Sequence, residues 1–377
     1  MAGLTTNRKH VIGKVVINGA NGYVASNFVV ELLKRRYEVV ALVRNKENES
    51  ASDRMRETLN EMSDCDSVDL KRLKVYDYSL FQANFNLSDD VLSEIFGGTV
   101  HYYHFAASLK FDFKSKDEIF GTNMQGVTNS VETFLKFSGP GSRFYFISTA
   151  YSCGRMKGIF KERFYGNEEI DAFRNYYEQS KRFAENRLKQ YIEEDGLSCS
   201  ILRISQIIGN RSTGVTKTDY GIFDFSKRIQ RIANMSPNTT LRLQVDETCT
   251  QNLLAIDTVV SYFMDIIAAK EVPEIINIVS KKPFPNQSIL DILEDILPIK
   301  LVPKMKLKPE EMNKIEKIMA VGMSFSGAYI NINPDFETKN LDAIVKHPQP
   351  DVTVDEVHKM LHYFLEHRRI VNAKITG

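Results

Sequence analysis

The sequence predicts an α/β protein, a doubly wound parallel sheet with a smaller substrate-binding region toward the C-terminus. Three observations predict it. Apolar runs of strand length alternate with amphipathic stretches of helical period. The runs are rich in Val and Ile without strict alternation, as strands buried on both faces are. The first run passes through a turn of small residues straight into a helical pattern. Strand–helix alternation of this kind builds parallel sheets covered on both sides.

The elements follow in order. Strand-like runs occupy residues 14–19 (KVVING), 38–43 (EVVALV), 72–78 (RLKVYDY), 99–107 (TVHYYHFAA), 143–149 (RFYFIST), 198–209 (SCSILRISQIIG) and 274–280 (EIINIVS). Helical patterns at 25–36, 87–96, 120–137 and 176–194 separate most of them. Beyond Gly209 the pattern loosens: residues 211–245 are rich in Thr, Ser, Asn and Arg, and 281–350 hold most of the prolines. The expected division is a core at 10–210, rejoined by 250–280, with 211–249 and 281–377 forming the smaller region. The segment PDVTVDEVHKMLHYFLEHRRI reads as a closing helix capped by Thr353 or Asp351.

Composition narrows the class. The chain has 377 residues, 43% hydrophobic and 26% charged, which suits a soluble protein with a sizeable core. A formal net charge of +1 gives no global field toward nucleic acid or an anionic membrane. Cys65, Cys153, Cys199 and Cys249 lie far apart with no CxxC pair, so they read as reduced thiols of a cytoplasmic protein. The opening MAGLTTNRKHVIG has no apolar run before a cleavage site, so no signal peptide is expected. The most apolar later segment, NLLAIDTVVSYFMDIIAAK, is broken by Asp257 and Asp265 and is not expected to span a membrane. No metal-ligand spacing appears, so no metal is expected.

The small-residue turn carries the first chemistry. Gly19 permits a tight turn after the first strand, Gly22 lets backbone approach a pyrophosphate, and Ala25 lets helix and strand pack closely. The helix N-terminus then offers unpaired N–H groups to phosphates. Asn21, Tyr23 and Val24 belong to the same turn and are expected beside a dinucleotide. An acid at the end of the second strand would bind a ribose 2′-hydroxyl. Arg44 and Lys46 stand there instead, and a cation suits a 2′-phosphate. NADP(H) is therefore favoured over NAD(H).

The second cluster is NYYEQSKRFAE. Tyr177 and Lys181 are four apart on an expected helix and share a face. An ammonium beside a phenol lowers its pKa toward working pH. Such a pair alone is common on helix surfaces. A third cluster, FYFISTAYSCG, ends a strand in hydroxyls: Ser148, Thr149 and Tyr151. Strand C-terminal ends are where open α/β sheets bind ligands.

In their order (glycine turn, Arg44, HFAAS, TNMQG, STAYSCG, YEQSK, RISQIIG) these clusters resemble the extended short-chain dehydrogenase/reductase superfamily over about the first 280 residues. The resemblance implies a catalytic set of Thr149, Tyr177 and Lys181, with Ser148 where the cofactor is approached. It implies Asp77 and Tyr78 on the adenine side. Ala106, Ala107 and Ser108 would lie at the strand end passing the cofactor, and Ile204 beside it, where a Pro usually follows Arg203. Asn123 would support the lysine through water. HFAASLKFD, STAYSCG, YEQSKRFAE and ILRISQIIGNRSTG are similar to the male-sterility branch, which includes fatty acyl-CoA reductases and terminal thioester reductases and typically uses NADPH. Ala25 departs from the usual third Gly, and Tyr76 from the usual Gly before Asp77.

That resemblance implies reduction of an acyl thioester, on CoA or a carrier, to an aldehyde or onward to an alcohol. Two other readings stay open. One is another reaction of the superfamily, such as ketone or hydroxysteroid-like oxidoreduction or nucleotide-sugar epimerisation or reduction. The other is a cofactor-sensing module. The expected partner is a small-molecule or carrier-bound acyl substrate, and a homodimer is typical of the superfamily. Residues 209–220 and parts of 281–326 are expected to form the substrate wall. His101 and His104 read as packing in a buried strand. Cys153 has no paired His motif. Residues 109–115 (LKFDFKS) read equally as a substrate-facing loop or an amphipathic surface.

Overall fold

A computed structural model describes residues 13–62, 68–323 and 327–376, and side chains through 367. The expectations placed on the opening segment, on Cys65 and on Ser326 fall outside these residues. The main sheet takes β1 (Lys14–Asn18), β2 (Glu38–Val43), β3 (Leu73–Asp77), β4 (Val100–His104), β5 (Arg143–Thr149), β6 (Cys199–Ile204) and, after the shorter β7 (Gln206–Ile208), β8 (Thr239–Leu243) and β9 (Leu253–Ala255), the seventh strand β10 (Ile275–Ile278). Its order is β10-β6-β5-β4-β1-β2-β3, all parallel. The order reverses between β1 and β4. Ligands bind in such sheets in the crevice outside the carboxyl ends at that reversal.

Helices cover both faces. They are α1 (Tyr23–Lys34), α2 (Ala51–Asn60), α3 (Asp89–Phe96), α4 (Lys116–Phe120), α5 (Gly126–Phe137), α6 (Tyr176–Asp195) and, after α7 (Ile222–Met235), which belongs to the C-terminal lobe, α8 (Ile256–Ala268). Strand alternation sorts the two cores. Val15, Ile17, Val39 and Ala41 face α1 and α8 with Phe28 and Phe263. Val16, Val40 and Leu42 face the other side with Phe96, Tyr102, Phe134 and Leu188. A third cluster, around Phe223, Ile229, Leu243, Leu293, Leu301, Met360 and Leu361, holds the C-terminal lobe. That lobe adds α9 (Asn286–Ile296), β11 (Ile299–Pro303, parallel to β8), α10 (Lys314–Gly322), α11 (Gly327–Ile330), α12 (Lys339–Ile344) and α13 (Val354–Thr376). Leu341 and Ile344 of α12 nevertheless pack in the sheet-side core with α1 and α8.

Local chemistry sets the boundaries. Ser50 Oγ caps α2 by accepting from the Asp53 N–H at 3.1 Å. Thr353 caps α13 by accepting from the Glu356 N–H at 3.3 Å, while Asp351 instead takes the Ser280 hydroxyl at 2.6 Å. Three expected elements are cut differently. The run at 99–107 stops pairing at His104, because Asn18 Oδ1 draws the Phe105 and Ala106 N–H groups out of the ladder at 2.8 and 3.0 Å. The run at 198–209 breaks at Ser205: β6 stays in the main sheet and β7 turns to pair with β9. The helix at 120–137 contains a π-helical turn, Gly121–Gln125, a distortion frequent at functional sites. Among the described residues no helix is long and apolar enough to cross a membrane.

Candidate active site

The glycine turn forms because β1 must stop and reverse under the start of α1. Gly19 has φ +62°, and a Cβ there would lie 3.1 Å from the Ala106 nitrogen and 3.2 Å from its Cα. The Gly22 N–H returns to the Gly19 carbonyl at 2.9 Å. Gly22 is the N-cap of α1, with no side-chain cap and no acid in the first turn. The first-turn N–H groups and the positive helix end therefore face open space, as an anion requires. A Cβ on Gly22 would enter that cradle 3.1 Å from the Gly19 oxygen. The residues present fit a dinucleotide pyrophosphate. Asn18 holds the floor: its amide nitrogen lies 2.9 Å from the Tyr102 hydroxyl and 2.8 Å from His104 Nδ1.

At the far end of the crevice, β2 leads into exposed Arg44 and β3 ends at Asp77, which pairs with Val43. Asp77 accepts from the Asn45 backbone N–H at 2.8 Å and its side-chain amide at 2.6 Å. The Arg54 guanidinium donates to the Arg44 carbonyl. Tyr78 is buried edge-on against Phe85 and hydrogen-bonds the Gly19 backbone, so it braces the turn from behind.

Thr149 ends β5, and its Oγ1 accepts from the Tyr151 N–H at 3.2 Å. Tyr177 and Lys181 lie one turn apart on α6, beside it in the same cavity. Lys181 Nζ donates to the Ile147 carbonyl at 2.9 Å and sits 4.7 Å above the Phe146 ring. Burial brings the Lys181 ammonium down to about 7, against the pull of Glu185. The Tyr177 phenol moves the other way. Burial raises it, and Glu178 and then Tyr220 raise it further. The Tyr177 phenol thus stands above its ordinary value, with Lys181 not among the groups that shift it. In this arrangement the lysine is committed to Ile147, and desolvation governs both groups.

Two further residues of the expected site are held by protein partners. The Ser148 hydroxyl donates to Glu185 Oε1 at 2.5 Å. Glu185 also takes the Arg203 guanidinium at 2.6 Å and the Ser152 hydroxyl at 3.1 Å. Asn123, in the π turn, accepts from the Ser108 N–H at 2.8 Å and donates to Ser180 Oγ at 2.9 Å. It joins the end of the β4 segment to α6.

A cavity of about 370 Å³ gathers these elements. Of the expected residues it is lined by Gly19, Gly22, Tyr23, Val24, Ala107, Ser148, Thr149, Tyr177, Lys181 and Ile204. Asn21, Arg44, Asp77, Tyr78, Ala106, Ser108 and Asn123 lie outside the lining. From the expected substrate wall, Lys217, Thr218 and Tyr220 take part, but described residues of 281–323 do not; they build the C-terminal core instead. Tyr329 lines the cavity in their place. Residues 109–115 do reach the site: Phe111 lies edge-on to Tyr177 at 5.3 Å and to Tyr220 at 5.5 Å. Buried Cys153 is pushed up to about 11 by desolvation, unsuited to nucleophilic work. His104 is brought down to about 3 by burial, then by Lys181, and is packed neutral. No cluster of metal-ligating side chains occurs among the described residues.

A family model described as "Male sterility protein" matches residues 17–262. An L-2-aminoadipate reductase large subunit from Penicillium chrysogenum is 26% identical over 230 residues, 54% of this chain and 15% of that protein. The chain thus spans a small part of that curated relative's length. Among solved structures, the terminal R domain of the myxalamid PKS-NRPS biosynthetic pathway superposes with a TM-score of 0.77 at 17% identity, covering 96% of this chain and 92% of that one. UDP-glucuronic acid 4-epimerase from Bacillus cereus superposes at 0.63 and 17% identity, covering 94% and 96%. At such identities these two likenesses speak for the fold.

Proposed function

The chain belongs to the male sterility protein family of NAD(P)-binding extended short-chain dehydrogenase/reductases, and on that premise we propose that it reduces an acyl thioester with NADPH. The observation that carries the reading is the shared cavity. It joins a phosphate cradle to Thr149, Tyr177 and Lys181, and its remaining wall is largely apolar, with Leu109, Phe111, Ile207 and Ile222. An acyl chain suits that wall. Similarity to an aminoadipate reductase and to the terminal R domain of a PKS-NRPS pathway supports the reading.

Gly19, Gly22 and the first turn of α1 would hold the pyrophosphate, and Arg44 a 2′-phosphate. The dinucleotide, when bound, supplies the hydride. Thr149 Oγ1 directs a donor at the substrate oxygen. The Tyr177 hydroxyl, kept protonated by its buried setting, delivers the proton as charge develops there. Below about pH 7 Lys181 carries its charge 5.9 Å from the Tyr177 ring centre, in a water-poor pocket where it counts for more than in solvent. Phe111, edge-on to both Tyr177 and Tyr220, limits water at the phenol. With a thioester, the tetrahedral adduct breaks its C–S bond, releasing thiol and aldehyde.

The test follows NADPH oxidation and free thiol together on acyl-CoA and acyl-carrier thioesters. Matched stoichiometry, lost in Tyr177→Phe with NADPH binding retained, supports the reading. NADPH oxidation on ketones or aldehydes without thiol release replaces the thioester with a free carbonyl substrate.

A further inference from the structure

The first turn of α6 is closed by a residue from the C-terminal lobe. Asn175 is the N-cap, and its Oδ1 accepts from the Glu178 N–H at 3.0 Å. Its amide donates to the Tyr329 oxygen at 2.7 Å, and the Tyr329 hydroxyl donates to Glu178 Oε1 at 2.6 Å. The second carboxylate oxygen takes the Arg174 N–H at 3.0 Å. Arg174 also reaches back to α11, donating to the Ala328 carbonyl at 3.2 Å. Asn175 and Glu178 are 2% and 0% exposed, so these bonds have no water to replace them. In a capping box the cap and third residues satisfy each other. Here Asn175 Oδ1 keeps its half of the box, while the Asn175 amide nitrogen and Glu178 Oε1 meet at one phenol. Tyr177 stands between them in the chain. The same Tyr329 lines the cavity and meets Tyr151 edge-on at 5.3 Å.

We propose that Tyr329 is a positioning residue for Tyr177: its hydroxyl fixes the first turn of α6 and so the direction of the Tyr177 phenol, while its ring forms part of the substrate wall. The inference rests on Tyr177 being the proton donor. Without the phenol the buried Asn175 amide and Glu178 Oε1 each lose a partner, and the cap residue and third residue are held less firmly. A reacting group misplaced by about 1 Å loses on the order of 10²-fold in rate. The C-terminal lobe thereby acts on the chemistry without touching the reacting atoms.

The test is Tyr329→Phe in the full chain, which keeps the ring and removes the two hydroxyl bonds. Single-turnover NADPH oxidation is expected to slow by about ten-fold or more, with KM for the thioester and the Kd for NADPH unchanged. A raised KM with an unchanged turnover rate would overturn the proposal, because Tyr329 would then be wall alone. Amide exchange over residues 175–180 reads the clamp without substrate. It is expected to accelerate in Tyr329→Phe while the rest of α6 stays protected, and unchanged exchange would also overturn the proposal. A chain inactive on thioesters would remove the proposed substrate and leave this measurement standing. Asn175→Ser retains the cap acceptor but not the donor to Tyr329. It carries the same two readouts should Tyr329→Phe fail to fold.

Discussion

Lys181 Nζ donates to the Ile147 carbonyl at 2.9 Å, which ties α6 to β5 two residues before Thr149. The lysine is 2% exposed, and its burial brings its pKa from 10.5 to about 7. The sign follows from linkage. Below about pH 7 the group is charged in both folded and unfolded chains, and the folded state bears the full desolvation cost. Between about 7 and 10.5 the folded lysine is neutral while the unfolded one still binds a proton, so the cost fades as pH rises. Lys181→Met is therefore expected to raise Tm, more at pH 6 than at pH 9, and to abolish turnover. Thermal melts at the two pH values check it. A gain that is equal at both, or a loss at both, would mean the ammonium is not an uncompensated charge.

Glu185 and Arg203 form a buried pair, 1% and 0% exposed, that also receives Ser148 and Ser152. Removing one partner leaves the other charged without water. Glu185→Ala is expected to cost about 3–5 kcal/mol in urea unfolding. Glu185→Met with Arg203→Met should recover much of that loss, since replacing both charges is often near neutral. Ser148 would be released from Glu185 in either protein, so NADPH affinity reports whether Ser148 also serves the cofactor.

How much of this was legible depends on the range of each interaction. The turn at Gly19, the pair Tyr177–Lys181 and the hydroxyls at the end of β5 each declare themselves within a few residues, and the parallel sheet brings them together. Asn18, Glu178, Glu185 and Tyr329 do not. Their partners lie far along the chain, as Tyr329 does from Glu178, 151 residues away. Periodicity reports that a position is buried, never which distant polar group satisfies it. YEQSKRFAE looks like a charged helix surface, yet Glu178, Lys181, Arg182 and Glu185 are all buried. The break at Ser205 was hidden for a related reason: β6 and β7 are equally apolar, and only their separate partners, β10 and β9, divide them. Of the expected wall, 209–220 does reach the cavity, but the apolar residues in 281–323 serve a core of their own, and a single tyrosine beyond them lines the cavity instead.

Arg44 follows β2 at the sheet's carboxyl edge and is exposed, with its carbonyl taken by Arg54. A guanidinium there suits a 2′-phosphate and has nothing to offer a ribose hydroxyl acceptor-for-donor. Arg44→Ala is expected to weaken NADPH binding by about ten-fold, the worth of one charge-assisted bond, and to leave NADH binding unchanged. Fluorescence titration with both cofactors checks it. Equal loss for both would place Arg44 outside any 2′-phosphate site.

Gly19 and Gly22 separate two roles within one turn. Gly19 sits at φ +62° with the Ala106 backbone 3.1 Å from any added Cβ. Gly19→Ala therefore meets both backbone strain, about 1–2 kcal/mol for a left-handed residue, and a contact that only main chain can relieve. It is expected to lower Tm and weaken NADPH binding together. Gly22 has an ordinary φ of −71°, and its added Cβ would meet the Gly19 oxygen at 3.1 Å. Gly22→Ala, spared the left-handed strain, is expected to lower Tm less than Gly19→Ala while binding NADPH far less tightly. The contrast is the check: thermal melts and cofactor titrations on both variants. If Gly22→Ala bound NADPH normally, the first turn of α1 would not be the pyrophosphate site, and the cradle would be a packing feature of the β1–α1 turn.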